Sequence, residues 1–328
     1  MKRSFQKLIR EISKNQVEEY AKNANIHEIG GERAKRFVRF SGEIFEDLIN
    51  EIRNNPNCVY DTYLNEVIKE GYNPEYVSVL IKKQNNIMVK SDDYGLGHFR
   101  DVIASRMLNY FGCPTTYETL VKIDGQLKSC SVDFNKTDED LYMAHDLLPH
   151  QACMPWDLDD SQFYLTHKFK NLTSELKIDD SNNSQFIPFM EEYIYSYLVR
   201  KLVLQDGDYG FHNLGIIHNK KENILYMAPN FDFEYAFLID DYKENASANR
   251  YIIDTFKYVK KYYPKVYEKF SDKFSSFMDN NESEKIIKNV IGDNEDSKRF
   301  IDNYQDYLKW LNKVTPLKNR GNKGLNKQ

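Results

Sequence analysis

Residues 202–237 constrain this chain more than any other stretch. They run from a polar loop, Gln205-Asp206-Gly207-Asp208-Tyr209-Gly210-Phe211-His212-Asn213, into an apolar segment, Leu214 to His218. Asn219 to Glu222 is polar and turn-like, and Asn223 to Met227 is a second largely apolar run. Two apolar runs joined by a polar turn predict an antiparallel hairpin. Closing that hairpin brings the loop before its first strand beside the segment after its second, so Asp208 and Asn213 converge with Asp232.

That grouping has a chemical use. Phosphoryl transfer needs one carboxylate near the attacking hydroxyl, and an amide oxygen with a second carboxylate for the Mg²⁺ that bridges the phosphates. Asp208 suits the first role, Asn213 and Asp232 the second. Taken alone, Asp-x-x-x-x-Asn also fits a solvated turn. The strand-turn-strand context with a second Asp beyond it favours a site.

Asp208-x-x-x-x-Asn213, the hairpin and Ala228-Pro229-Asn230-Phe231-Asp232 resemble the catalytic and metal-binding segments of the HipA-like kinases, bacterial serine/threonine kinases with a protein-kinase-like fold. Within them the chain is most similar to the small single-chain pro-inflammatory kinases of the CtkA type. Gly207-Asp208-x-x-x-x-Asn213 with Asp232-Phe233-Glu234-Tyr235-Ala236 also resembles the aminoglycoside and choline phosphotransferases. The resemblance covers roughly Ile87 to Phe237. It implies ATP and Mg²⁺ as cofactors and a hydroxyl acceptor, on a protein or on a small molecule; a nucleotide-binding pseudokinase is a further alternative. Some HipA systems pair the kinase with an antitoxin, which leaves an antitoxin-like partner open here.

The resemblance extends to the small lobe, where a strand lysine reaches the phosphates and a helical acid holds it. Lys90, ending a strand from Ile87, and Asp101, on a helix from His98 to a stop at Gly112, match those positions; an ordinary surface pair is the alternative, and Lys82 and Lys83 are substitutes. The family has Glu where Asp101 stands. Gly30 and Gly31 are similar to the family's phosphate-approaching turn, although a Gly pair equally marks a plain hairpin. Cys130 to Phe134 resembles the strand entering the hinge, so Asp133 and Phe134 are expected against adenine. Asp206 stands where many kinases place His, Gly207 where they place Arg, and Glu234 replaces a glycine after Asp-Phe.

The expected architecture is α+β and two-lobed: residues 1–135 a β-rich small lobe, 136–314 a mainly helical large lobe, and 315–328 a disordered tail. An amphipathic helix is expected over residues 1–22, with apolar Phe5, Leu8, Ile9 and Ile12, and two inserted helices between Gly42 and Gly71. Tyr76 to Lys83 should pair with the strand from Ile87, and two strands should flank Asp124-Gly125. Residues 135–182, with acids at 138–140 and 157–160, read as solvated linker. Phe186 to Val203 reads as the central buried helix, and four more helices follow, over 252–263, 266–277, 282–291 and 297–311.

With 45 basic and 50 acidic residues the net charge is −5, so nothing favours nucleic acid or an anionic membrane. Cys58, Cys113, Cys130 and Cys153 lack metal-ligand spacing and read as reduced thiols. Neither a signal peptide nor a membrane span is evident, so a cytoplasmic location is expected, with secretion by a signal-less route left open.

Overall fold

The computed structural model describes residues 10–12, 17–19, 35–40, 87–90, 97–123, 126–132, 134, 139–144, 158–233, 235–237 and 246–315. Gly30, Gly31, Lys82, Lys83 and Asp133, the helices expected between Gly42 and Gly71, the strand expected from Tyr76 and the tail from 316 lie outside them. What is described mixes helix with two sheets.

The larger sheet has six strands: β1 (Arg10–Ile12), β2 (Val17–Glu19), β3 (Lys35–Phe40), β4 (Ile87–Lys90), β5 (Glu118–Ile123) and β6 (Gln126–Val132), in the order β1-β5-β6-β4-β3-β2. β1 lies parallel to β5, and every other pairing is antiparallel. The N-terminal helix expected over residues 1–22 is therefore corrected at its described positions, Arg10–Ile12 and Val17–Glu19, which are strands. Ile12 and Val17 are β-branched, and pairing at the two margins of the sheet satisfies backbone groups that a helix so interrupted would expose.

Helix α1 (Gly97–Phe111) follows β4 and stops at Gly112, whose φ of 80° is the left-handed conformation that terminates helices. Its C-terminal end enters the main core: Phe111 is fully buried 5.1 Å from the ring of Phe277, and the Tyr110 hydroxyl donates to Ser276 Oγ at 3.0 Å.

The second sheet, β7 (Glu139–Met143), β8 (Gly215–Asn219) and β9 (Ile224–Met227), is antiparallel throughout and contains the expected hairpin. β7 and α2 (Leu158–Glu175) correct the reading of residues 135–182 as solvated linker. Leu158, Leu165, Phe169 and Leu172 form a buried stripe at helical spacing, which the polar residues between them disguise. Glu139 is buried and accepts a hydrogen bond from the Tyr226 hydroxyl, while Asp140 pairs with Lys220 at 2.6 Å.

Helix α3 (Phe186–Tyr197) carries Pro188 in its first turn, where a missing N–H costs no helical bond. It continues as a wider π turn, Leu198–Val203, in which Leu204 N–H donates to Val199 O at 2.9 Å. The carbonyls of Leu202 and Val203 at the end of this turn accept from the hydroxyls of Tyr307 and Tyr304. Those tyrosines stand on α7 (Glu295–Val314), the last of four helices that begin with α4 (Ala246–Tyr262), α5 (Pro264–Asp279) and α6 (Glu282–Ile291). All four match the expected helical patterns. One apolar core runs from α1 through α3 to α7, and it fixes the point at which the chain leaves the π turn.

Candidate active site

The chain leaves the π turn through Leu204, takes a left-handed step at Gln205 (φ 48°), and turns through Gly207 and Asp208. A single 3₁₀ turn, Phe211–Asn213, then feeds β8. Tyr209 and Phe211 are buried and anchor this loop to the core, whereas the Asp208 side chain remains 29% exposed. A carboxylate so placed can meet a substrate and still be held by neighbours.

Both of its oxygens are engaged. Asn213 Nδ2 donates to the Asp208 carbonyl at 2.9 Å and to Oδ2 at 3.0 Å. His212 Nε2 lies 2.9 Å from Oδ1. Because the Asn213 amide nitrogen makes both bonds, its Oδ1 is directed away from Asp208.

The second segment comes from the far end of the hairpin. Asn230 N–H and Nδ2 both donate to Pro114 O at 2.8 Å, and Thr116 N–H donates to Asn230 O at 2.9 Å. Phe231 stacks on Phe134, with ring centres 5.7 Å apart. Asp232 follows, buried, with φ 59°. A left-handed non-glycine residue carries strain that its surroundings must hold.

The holding group is Arg200, which the sequence analysis does not single out. Its Nη2 donates to Asp232 O at 2.7 Å and its Nη1 to Phe231 O at 2.9 Å. Nε and Nη2 both donate to Asp206 Oδ2, Nε at 2.8 Å. Both side chains of this ion pair are fully buried. Asp206 Oδ1 in turn accepts the Asp208 N–H at 3.2 Å. The signal that could have revealed the pair was an Arg on the buried face of an otherwise apolar helix, since a fully buried Arg needs a partner.

Oxygen donors on Asn213 and Asp232 are hard ligands suited to Mg²⁺, which takes one or two protein groups and completes its shell with phosphates and water. Among the described residues no group of three or more His, Cys, Asp or Glu could hold a metal, and a Mg²⁺ bound mainly through phosphates needs none. The donor set therefore fits the ion.

In the six-stranded sheet, Lys90 is paired in register with Ser129 of the neighbouring strand. The Ser129 hydroxyl donates to Asp101 Oδ2 at 2.9 Å, and Ser129 N–H donates to His98 Nδ1 at 3.1 Å. Ser129, which the sequence did not single out, thus ties the N-terminal end of α1 to the position opposite Lys90. Asp101 is fully buried, so the surface-pair alternative does not describe it. Phe134 packs on the loop that carries Asp232.

Comparisons with protein families and with curated proteins find no match. Among solved structures, a Helicobacter pylori proinflammatory kinase, CtkA, is similar at 15% sequence identity and a TM-score of 0.47, over 70% of this chain and 86% of that one.

Among the described residues no helix is long and apolar enough to cross a membrane.

Proposed function

We propose that this chain is an ATP- and Mg²⁺-dependent phosphotransferase of the HipA-like, two-lobed kinase type, acting on a serine or threonine hydroxyl of a protein. The observation that carries the reading is the double clamp on Asp208: Asn213 on one carboxylate oxygen, His212 on the other, and a solvent-facing edge left for substrate.

On this reading residues 1–135 form the small lobe and 136–314 the large one. Asp208 orients the acceptor hydroxyl and takes its proton as the oxygen attacks the γ-phosphorus; the bridge to the β-phosphate breaks and ADP leaves. Asn213 Oδ1 and the Asp232 carboxylate would hold Mg²⁺, which would supply neutralisation of charge on the phosphates. Lys90 contacts the phosphates and Asp101 supports it, with Ser129 fixing Asp101 to the sheet. Asp133, Phe134 and the Gly30-Gly31 turn complete the nucleotide site.

An aminoglycoside- or choline-type small hydroxyl compound is the second acceptor class, which the same site chemistry would serve.

The test is incubation with γ-labelled ATP and Mg²⁺, comparing the native chain with Asp208→Ala and Asp232→Ala. Label on protein with the native chain alone is the expected result. ADP release without labelled protein would move the acceptor to small molecules. Nucleotide binding without turnover would leave a pseudokinase.

A further inference from the structure

We propose that Arg200 is a positioning residue for Asp232, and that the buried Arg200–Asp206 pair sets the separation between the proton-accepting loop and the metal-holding loop. The inference rests on the phosphotransferase reading of Asp208, Asn213 and Asp232.

The guanidinium is used on three sides. One face of its fork grips Asp206 Oδ2, and the remaining N–H groups hold two successive carbonyls, those of Phe231 and Asp232. The plane is fixed between aromatic rings, 4.2 Å from the centre of Tyr209 and 4.9 Å from that of Phe233. Tyr209 belongs to the first loop and Phe233 to the second. Asp206 ties the pair to the first loop, accepting the Asp208 N–H with Oδ1 while its Oδ2 accepts from Arg200. A single ion pair is thereby bonded to the backbone of both reacting segments.

A purely stabilising role is a poor account of this pair. Burying two charges carries a desolvation cost, and apolar side chains of similar volume often serve stability equally well. Geometry is what an apolar replacement loses. At Asp232 the bonded carbonyl belongs to a residue in the left-handed region, where a change in backbone angle swings carbonyl and carboxylate together. Arg200 reaches that carbonyl because the π turn carries it; Asp206 N–H closes the turn onto Arg200 O at 2.9 Å. A lysine has a single point of charge and could not serve Asp206 and two carbonyls together. The Asp at position 206, a departure in the sequence, is explained by this partner.

The test compares the native chain with Arg200→Lys and with the double variant Arg200→Met/Asp206→Leu, which leaves no unpaired buried charge. Two readouts are taken on protein shown to be folded by its unfolding midpoint: amide hydrogen exchange over residues 231–237 without metal, and Mn²⁺ binding followed by electron paramagnetic resonance with a non-hydrolysable ATP analogue. In the double variant, exchange over 231–237 is expected to rise at least about tenfold while α5 is unchanged, and Mn²⁺ affinity to fall about 10- to 100-fold, the usual scale for a residue that orients a ligand. Native-like exchange and affinity in the folded double variant would overturn the proposal. Should that variant fail to fold, Arg200→Lys decides the matter: the same loss of Mn²⁺ affinity supports positioning, and native affinity refutes it. If the native chain binds no Mn²⁺ with the analogue, or Asp232→Ala binds it equally well, the metal-site reading fails instead, and the metal-free exchange measurement still decides whether Arg200 holds the loop.

Discussion

Asn213 grips Asp208 twice, at its carbonyl and at its carboxylate, through a single amide nitrogen. That geometry makes an apparently mild change severe. Asn213→Asp retains an oxygen in place of Asn213 Oδ1, yet it replaces a donor with an acceptor 3.0 Å from Asp208 Oδ2. Two carboxylates at that distance repel, and the Asp208 carbonyl loses its partner. We expect Asn213→Asp to lower the unfolding midpoint more than Asn213→Ala, and both to reduce kcat by at least about 100-fold. Calorimetry beside a phosphotransfer assay checks the order; an aspartate variant as stable as native would contradict the clamp.

His212 restrains the other oxygen of Asp208, and its own side chain is 30% exposed. Truncation to His212→Ala leaves Asn213 in place, so the loop should keep its path while the carboxylate gains freedom. A fall in kcat of about tenfold, the scale of one hydrogen bond, is expected with the KM for ATP nearly unchanged. Steady-state kinetics separate the two. An equal rise in KM with kcat intact would place His212 in nucleotide binding.

The parts of this site that could be read from sequence are those whose signal is local. The hairpin announces itself by two apolar runs and a polar turn, and α1 by its periodicity and the stop at Gly112. Arg200 could not be assigned in the same way. Its partners are six residues ahead at Asp206 and more than thirty ahead at Phe231 and Asp232, and only the folded core brings them together. Ser129 is equally silent, a small polar residue whose meaning comes from the register with Lys90 and the approach of Asp101. Two errors have causes of their own. At 10–12 and 17–19 sheet pairing overrode a helical spacing, and over 139–143 and 158–175 acidic residues masked a strand and a buried helical stripe.

Gly215 opens β8 immediately after the loop that carries Asp208 and Asn213, and a Cβ there would lie 2.7 Å from Leu141 Cδ1 and 2.8 Å from Ala228 Cβ. Leu141 can move its side chain, but Ala228 is tied to Gly215 O by its own N–H at 2.9 Å. Gly215→Ala must therefore push β7 or β9 outward. The expected cost is about 1–3 kcal/mol, the usual range for overpacking, read as a lower urea midpoint. Adding Leu141→Ala should recover only part of it, because the contact with Ala228 remains.

Cys113 follows the stop of α1, and burial pushes its thiol from an ordinary value near 9 up to about 12. Burial favours the neutral thiol in the folded chain, whereas the unfolded chain ionises near 9. Below that pH both forms are protonated and the contribution is intact. As pH rises from about 9 towards about 12 the unfolded chain loses its proton first, so stability falls, on the order of 4 kcal/mol across the window. The buried hydroxyls of Tyr193, Tyr195, Tyr209 and Tyr304 are pushed above their ordinary value near 10 by the same cause, and they add to the loss at higher pH. Between pH 9 and 10 Cys113 should dominate. Urea midpoints measured across that interval should fall more steeply for the native chain than for Cys113→Ala, by about one proton's worth of slope. Parallel slopes would mean that the thiol ionises as readily in the folded chain as in the unfolded one.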